Sequence, residues 1–328
     1  MEYVKLGSTD IEVSAVCLGC MGFGVATDFH PWTVSEEDST RIIGRALELG
    51  INFFDTAMGY GGGTSEEFVG RALKKMTARE NAVIATKFLP RTQEETESGV
   101  DGRAHVANCL NASLKRLGTD YVDLYICHMW DYHTPIEEIM QGLNDAVAAG
   151  KARAVGISNC YAWQLEKANA IAERNGWAKF VSMQGHYNLL FREEEREMLP
   201  CCRDGNITYT PYSPLASGRL VKPAGEVTKR LTTDAVAKSK YDATKDEDGV
   251  IIARVHEIAE KRGLTATQIS LGWLLTKDTV PIVGATKLSH VEGAAQAVGV
   301  KLSDEETAYL EEPYVPHKLV GVMSFNRE

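Results

Sequence analysis

With 328 residues, 44% hydrophobic and 24% charged, the chain is long enough to bury a substantial core and has none of the compositional marks of disorder. Its formal charge of −10, from 35 basic against 45 acidic residues, argues against nucleic acid or an anionic membrane as a partner, since both require a clustered positive surface. The opening MEYVKLGSTD lacks a charged-then-apolar leader pattern and the apolar stretches are only strand-sized, so a cytoplasmic location is expected.

In chain order, residues 1 to 13 predict a short hairpin, YVKLG and IEVSA around Ser8-Thr9-Asp10, able to plug one end of a barrel. Eight apolar runs bounded by turn residues follow: VSAVCLGC from Val13, NFFDTA from Asn52, AVIATKF from Ala82, VDLYICH from Val122, ARAVGISN from Ala152, FVSMQGHY from Phe180, ITYTPYSP from Ile207 and VPIVGAT from Val280. Amphipathic segments separate most of them, which is the signature of βα units on a parallel sheet, and eight such units close a (β/α)8 TIM barrel as a single domain over 1–328. Several runs are apolar on both faces, as strands between a filled barrel and a ring of helices must be.

Helix starts are predicted where a hydroxyl residue precedes an acid or amide by three positions: Thr64 with Glu67, Thr134 with Glu137, Thr265 with Gln268 and Ser303 with Glu306. Pro135 suits a first helical position. Residues 217 to 248 read as a long polar connection of weak periodicity, either a segment covering a ligand or plain disorder.

The seven cysteines, Cys17, Cys20, Cys109, Cys127, Cys160, Cys201 and Cys202, lie mostly in apolar runs and read as reduced, packed thiols. Cys17 and Cys20 form a C-x-x-C, but inside a strand-like run their side chains point to different faces, and no second ligand pair accompanies them. No metal site is expected. His128 and His133 do not have a convincing ligand spacing either, which disfavours a metal-dependent barrel hydrolase.

Active sites of such barrels lie at the C-terminal strand ends, and there the polar residues converge. The second run ends at Asp55 and leads into a glycine-rich loop carrying Tyr60, the third ends with Lys87, and the fourth ends with His128. Charges at these places are costly to bury without partners. Gly22 and Gly24 after the first run invite a dinucleotide-fold reading, but Thr27 stands at the third glycine position and no helix follows directly, so that fingerprint fails.

INFFDTAMGYGGGTSEEFVGRAL from Ile51, ATKF around Lys87, YVDLYICH ending at His128, GKARAVGISN from Gly150, SMQGHYN with Gln184, YSPLASGRL from Tyr212 and PIVGATKLSHVEGAA from Pro281 occur in the order found in the aldo-keto reductase superfamily, which the chain resembles over nearly its full length. The segments HMWDYHTPIEE, YNLLFREEEREMLP and EEPYVPH look closest to a bacterial YajO-type branch. The resemblance implies reduction of a carbonyl by hydride from NADPH (NADP+ in the reverse direction). Tyr60 is then the acid aimed at the developing alkoxide, and Lys87 lowers its pKa from about 10. Asp55 holds the ammonium, and His128 orients the substrate oxygen.

For the cofactor, the resemblance implies Gly22 and Asp55 among the binding residues, Ser158, Asn159 and Gln184 on the carboxamide, and Tyr212 stacked on the nicotinamide. Ser213, Leu215, Gly218 and Leu220 meet the diphosphate, together with the loop of Gly284 and Thr286. Lys287 with His290 faces the adenosine phosphate, which favours NADPH over NADH. Gly293-Ala294 stands where relatives carry Glu-Asn to hold the adenine, with Glu292 as a partial substitute. Trp32, Met58, Trp130, Tyr132 and His133 are the candidates to line the substrate mouth, for an aldehyde or ketone including sugar-derived or aromatic ones. The alternatives are a cofactor-binding regulatory module like potassium-channel β subunits and a YajO-type role in thiamine or isoprenoid precursor metabolism. Monomer and small homo-oligomer stay open.

Overall fold

Segments buried on both faces cannot end a sheet at solvent, and here they close on themselves. The computed structural model describes residues 1–27, 31–222, 235–315 and 320–322. Eight parallel strands run in the order β10-β3-β4-β5-β6-β7-β8-β9: β3 (Cys17–Gly19), β4 (Phe53–Asp55), β5 (Val83–Phe88), β6 (Val122–Cys127), β7 (Ala152–Ser158), β8 (Phe180–Gln184), β9 (Thr208–Tyr209) and β10 (Ile282–Gly284). A parallel bridge between Tyr209 and Thr279 joins the ends, with Val280 N–H donating to Tyr209 O (3.0 Å) and Ile282 N–H to Pro211 O (2.8 Å). The result is the (β/α)8 barrel that the eight runs predict.

Two cores follow from strand alternation. Inside the barrel lie Cys17, Phe53, Val83, Ala85, Leu124, Ile126, Ala154, Val181, Val280 and Ile282; the alternate residues pack outward against the helices. The hairpin, β1 (Tyr3–Lys5) with β2 (Glu12–Ser14), adds Leu6, Ile11 and Val13 to the inner cluster. It therefore stoppers the N-terminal end and leaves the opposite mouth for chemistry. Cys17 belongs to the inner core and Cys20 to the outer one, all seven cysteines are free, and burial pushes both thiols up.

Several details correct the sequence reading. The first run divides: Val13 and Ser14 belong to the hairpin and only Cys17–Gly19 to the barrel, because Ser14 pairs with Tyr3. Thr265 and Ser303 make the expected capping boxes with Gln268 and Glu306. Thr64 does not; its hydroxyl donates to Gly61 O (2.6 Å) and accepts from Val25 N–H (2.9 Å), stapling the Tyr60 loop, and the helix Thr64–Met76 starts from Gly63. Thr134 donates to Asp131 instead (2.6 Å), and Pro135 stands just before the helix Ile136–Ala148. Within 217–248, Ala216–Val221 is a 3-10 turn, Ala235–Tyr241 is a helix, and Lys245 begins the helix Lys245–Arg262; residues 223–234 lie outside the described part. Among the described residues no helix is long and apolar enough to cross a membrane.

At the N-terminal end, buried Asp123 accepts from Arg79 (2.7 Å), Arg153 (2.9 Å) and Ile84 N–H (2.9 Å). Replacing it by Ala strands the Ile84 amide and removes a carboxylate from Arg153 and from Arg79, which keeps Thr119 and the Ala82 and Tyr121 carbonyls. Because the arginines are partly solvated, the cost is expected near the lower end for a broken buried pair, about 3 kcal/mol, with no change in substrate KM. Guanidinium unfolding of Asp123→Ala against wild type measures it.

Candidate active site

The C-terminal strand ends bring the predicted group together. Lys87, last but one in β5, is fully buried, and its ammonium is surrounded by acceptors. It donates to Asp55 Oδ1 (2.6 Å), the Thr56 carbonyl (2.8 Å) and Tyr60 Oη (3.1 Å). Asp55 ends β4, and its other oxygen accepts from Gln184 Nε2 (3.0 Å). Both carboxylate oxygens and all three ammonium donors are thus used, which is what makes burial of this pair tolerable. Burial alone would lower the Lys87 pKa, but the charge of Asp55, with Tyr60, carries it upward; the ammonium stays charged.

Tyr60 reaches Lys87 from the loop after β4. Gly61, Gly62 and Gly63 have φ of 56°, 64° and 95°, a left-handed run that residues with a Cβ rarely adopt, and a Cβ on Gly61 would lie 2.7 Å from Thr64 Oγ1. The glycines therefore turn the chain immediately behind the tyrosine and hold its phenol over the strand ends. Burial pushes the Tyr60 pKa above its ordinary value, more than the Lys87 ammonium pulls it down. This reverses the expected net direction: Lys87 holds the phenol by a hydrogen bond and offsets part of the burial effect, and the phenol stays protonated.

His128, just beyond β6, meets Tyr60 edge-on with ring centroids 5.8 Å apart. Burial, aided by the Lys87 charge, pushes its pKa down to about 3. The imidazole is therefore neutral near pH 7. Its Nδ1 is buried and without a partner among the described residues. An unpaired buried N–H costs more than an unpaired lone pair, which assigns the proton to Nε2. A phenol and an imidazole N–H, both able to donate, then adjoin one another at the barrel mouth.

On the neighbouring strands, Ser158, Asn159 and Gln184 form one hydrogen-bonded group. Asn159, at a left-handed φ of 51°, donates to Ser158 Oγ (2.8 Å) and the His128 carbonyl (2.9 Å), and accepts from the Tyr212 hydroxyl (3.0 Å). Since Asp55 can only accept, the Gln184 amide must present its nitrogen there, leaving its oxygen for another donor. The turn after Tyr212 has positive φ at Ser213 (53°), Ala216 (49°), Ser217 (56°) and Gly218 (96°), a strained backbone of the kind that forms anion-binding concavities. Leu220 is fully buried, so its side chain faces the core; Leu215 is partly buried against it.

Gly284, Thr286 and Lys287 lead into the helix Leu288–Ala297, with Thr286 N–H donating to His290 Nδ1 (3.3 Å). Lys287 and His290 are both exposed there. Glu292 is paired with Arg45 (2.9 Å), which occupies the carboxylate that the sequence suggested for adenine.

The substrate candidates separate. Trp32 lies against Gly22 beside Thr286: a Cβ on Gly22 would sit 3.3 Å from its ring and 3.5 Å from the Thr286 methyl. Met58 packs partly on the core. Trp130 borders Asn159 through its backbone (3.4 Å) and packs near Trp163, with ring centroids 6.2 Å apart. Tyr132 accepts from Gln164 (3.0 Å). His133 is exposed, and its recorded bonds are backbone ones to Asp131 and Arg91.

Sequence reasoning missed Trp163, which is 57% exposed beside Trp130, and the Thr56 carbonyl on Lys87. It also missed His186, Asn188 and Tyr241 behind Tyr212. For Trp163 the signal was present, an aromatic in the first turn after Asn159; a backbone acceptor gives none.

A sequence model described as the Aldo/keto reductase family matches residues 15–314. The chain belongs to the aldo-keto reductase family. It is 42% identical over 337 residues to versiconal hemiacetal acetate reductase of Aspergillus parasiticus, covering 96% of this chain and 98% of that one. It is 36% identical to the aldo-keto reductase dtxS3 of Metarhizium robertsii, with 98% and 93% covered. Among solved structures, a thermostable aldo-keto reductase in complex with the inhibitor epalrestat superposes with a TM-score of 0.76 at 30% identity, over 95% of this chain and 100% of that one. An aldo-keto reductase is an oxidoreductase, and carbonyl reduction with a nicotinamide cofactor is the chemistry general to this family.

Proposed function

We propose that this aldo-keto reductase reduces an aldehyde or ketone to the alcohol with NADPH, and that Tyr60 is the proton donor. The observation that carries the reading is Tyr60 Oη at 3.1 Å from a fully buried Lys87 ammonium that Asp55 holds at 2.6 Å. NADPH, when bound, supplies the hydride. The residues present suit such a group. Gln184 keeps an amide oxygen and Ser158 a hydroxyl for the carboxamide, Tyr212 offers a ring, and Arg219 Nη1 is buried without a partner among the described residues, beside the left-handed turn. Lys287 and His290 would take the adenosine phosphate.

At the reacting centre, His128 Nε2–H and the Tyr60 hydroxyl converge on the substrate oxygen, so charge developing there meets two preorganised donors. Tyr60 then gives up its proton, with the phenolate stabilised by Lys87. The aromatic rim of the partly buried Trp130 with the exposed Tyr132 and Trp163 supports a ring-bearing, apolar carbonyl over a small hydrophilic one. Steady-state rates with NADPH and NADH on a panel of aromatic and short aliphatic aldehydes test this. A roughly tenfold higher kcat/KM with NADPH is expected from one phosphate contact, and higher kcat/KM for the aromatic members. Equal rates with both cofactors would remove the role of Lys287.

The pH dependence follows from the two donors. Tyr60 must be protonated to act, and its pKa lies above the ordinary value of about 10, so reductive kcat/KM is full at neutral pH and lost only as the phenol ionises at alkaline pH. His128, down at about 3, adds no acidic limb above about pH 4. A limb near pH 6.5 in the profile would contradict the enclosed imidazole.

A further inference from the structure

His105 is a buried histidine that the chemistry above does not use. It lies near the start of the helix Gly102–Leu117 and reaches back to the loop that leaves β5. Its Nδ1 is 2.8 Å from Glu95 Oε1 and its Nε2 is 2.8 Å from the Leu89 carbonyl. Glu95 Oε2 in turn accepts from the Thr92 N–H (2.9 Å) and hydroxyl (3.0 Å), the cap of the short helix Gln93–Glu97. Partial burial would raise the Glu95 carboxyl, but its bonds with Thr92 and His105 hold it below its usual range. A carboxylate and a carbonyl only accept, so both ring nitrogens donate and the ring is an imidazolium. Burial alone would lower its pKa; Cys109, Glu95 and the Leu89 carbonyl carry it up to about 9. The residue this cation holds is placed at the reacting centre. Leu89 is the first residue beyond β5, two after Lys87, and is 37% exposed. On one side, Met58 N–H donates to the Lys87 carbonyl (3.0 Å), and a Cβ on Gly59, the neighbour of Tyr60, would sit 3.5 Å from Leu89 Cδ1. On the other, His128 N–H donates to the Phe88 carbonyl (2.9 Å). Leu89 thus stands between the segments that carry the two donors. Farther along the loop, Arg91 donates to the Val100 carbonyl (2.6 Å) and the His133 carbonyl (3.2 Å), while His105 holds the start.

We propose that His105 is a positioning residue for the substrate: it clamps the start of the loop after β5 to the capped turn at Glu95, and so fixes Leu89 as an apolar wall of the mouth between Tyr60 and His128. The inference rests on the reading of those two residues as donors to a carbonyl. Loops move more readily than strands, and a displacement on the order of 1 Å beside a reacting group is enough to spoil the alignment of a bound molecule. Bonds from a cation are shorter and about twice as strong as neutral ones, which suits a ring that must hold a carbonyl and a carboxylate at once. The wall matters for a carbonyl whose attached ring is large enough to touch Leu89, and little for a short aliphatic aldehyde. Ser158 and Gln184 lie on β7 and β8 and Tyr212 lies after β9, so the clamp does not act on the residues proposed for NADPH.

Steady-state kinetics of wild type, His105→Gln, Glu95→Ala and Thr92→Ala with 4-nitrobenzaldehyde and with propanal, beside the Kd of NADPH, test the proposal. Gln cannot serve both acceptors in the geometry of the ring, and Glu95→Ala opens the clamp from the partly exposed loop side, so it carries the test if His105→Gln does not fold. Each is expected to raise KM for 4-nitrobenzaldehyde on the order of tenfold, with kcat within about threefold and both KM for propanal and the Kd of NADPH within about twofold of wild type. The double variant should be no worse than the worse single one, because one interaction is removed once. Thr92→Ala weakens the cap and leaves the clamp, and is expected to keep the wild-type KM. An unchanged KM for 4-nitrobenzaldehyde in Glu95→Ala overturns the proposal. So does an equal rise for both aldehydes, or a rise in Thr92→Ala that matches Glu95→Ala, since either marks general loosening of the loop. A wild type that reduces neither aldehyde overturns the reading of Tyr60 and His128 and the proposal with it, and the wild-type assay alone reveals that.

Discussion

Tyr60→Phe is expected to lower kcat for carbonyl reduction on the order of a thousandfold while leaving the Kd of NADPH within about twofold of wild type, because only a proton donor is removed. The phenol oxygen is one of three acceptors around Lys87 Nζ, and Asp55 Oδ1 at 2.6 Å and the Thr56 carbonyl at 2.8 Å remain. The fold should therefore lose less than about 1 kcal/mol. Residual activity is expected from water reaching the His128 side of the pocket. Stopped-flow measurement of a single turnover, with cofactor binding measured separately, distinguishes loss of chemistry from loss of the site. Full activity in Tyr60→Phe would move the donor role elsewhere.

Lys87→Met is expected to damage both chemistry and fold. Asp55, 3% exposed, would keep only Gln184 as a side-chain partner among the described residues, and an unpaired buried carboxylate costs about 3–5 kcal/mol. The phenolate left after proton transfer would lose its cation, so the rate should fall at least as far as in Tyr60→Phe. The two effects are separable. The stability deficit should shrink in acid as the stranded carboxylate takes up a proton, and the double variant Asp55→Asn with Lys87→Met should recover most of the stability without the activity. Denaturant unfolding at two pH values, beside rate assays, reads both. A double variant as unstable as Lys87→Met would show that the lysine supports the fold by packing rather than by charge.

The barrel was legible because its strands are buried on both faces, which writes each as an unbroken apolar run. The same property exposed the site: Asp55, Lys87 and His128 stand out as polar interruptions at the ends of such runs, where no packing argument accounts for them. What stayed hidden depends on partners distant in sequence. Thr64 and Thr134 have the pattern of helix caps, yet nearby acceptors at Gly61 and Asp131 take their hydroxyls. The net direction of the Tyr60 pKa was misjudged because a neighbouring ammonium can be read from order along the chain, whereas the depth of burial cannot. The aromatic stack behind Tyr212 draws His186, Phe191 and Tyr241 from three segments, and no spacing rule connects them.

The central claim is that hydride passes directly from NADPH to a carbonyl carbon in this site. Incubating the wild-type enzyme and an aromatic aldehyde with NADPH deuterated at the transferred position of nicotinamide C4, followed by mass spectrometry of the alcohol, tests it most directly. The account predicts deuterium on the carbinol carbon, retained in full and absent from the hydroxyl. Product carrying no deuterium at carbon, or cofactor consumed without alcohol formed, would contradict it.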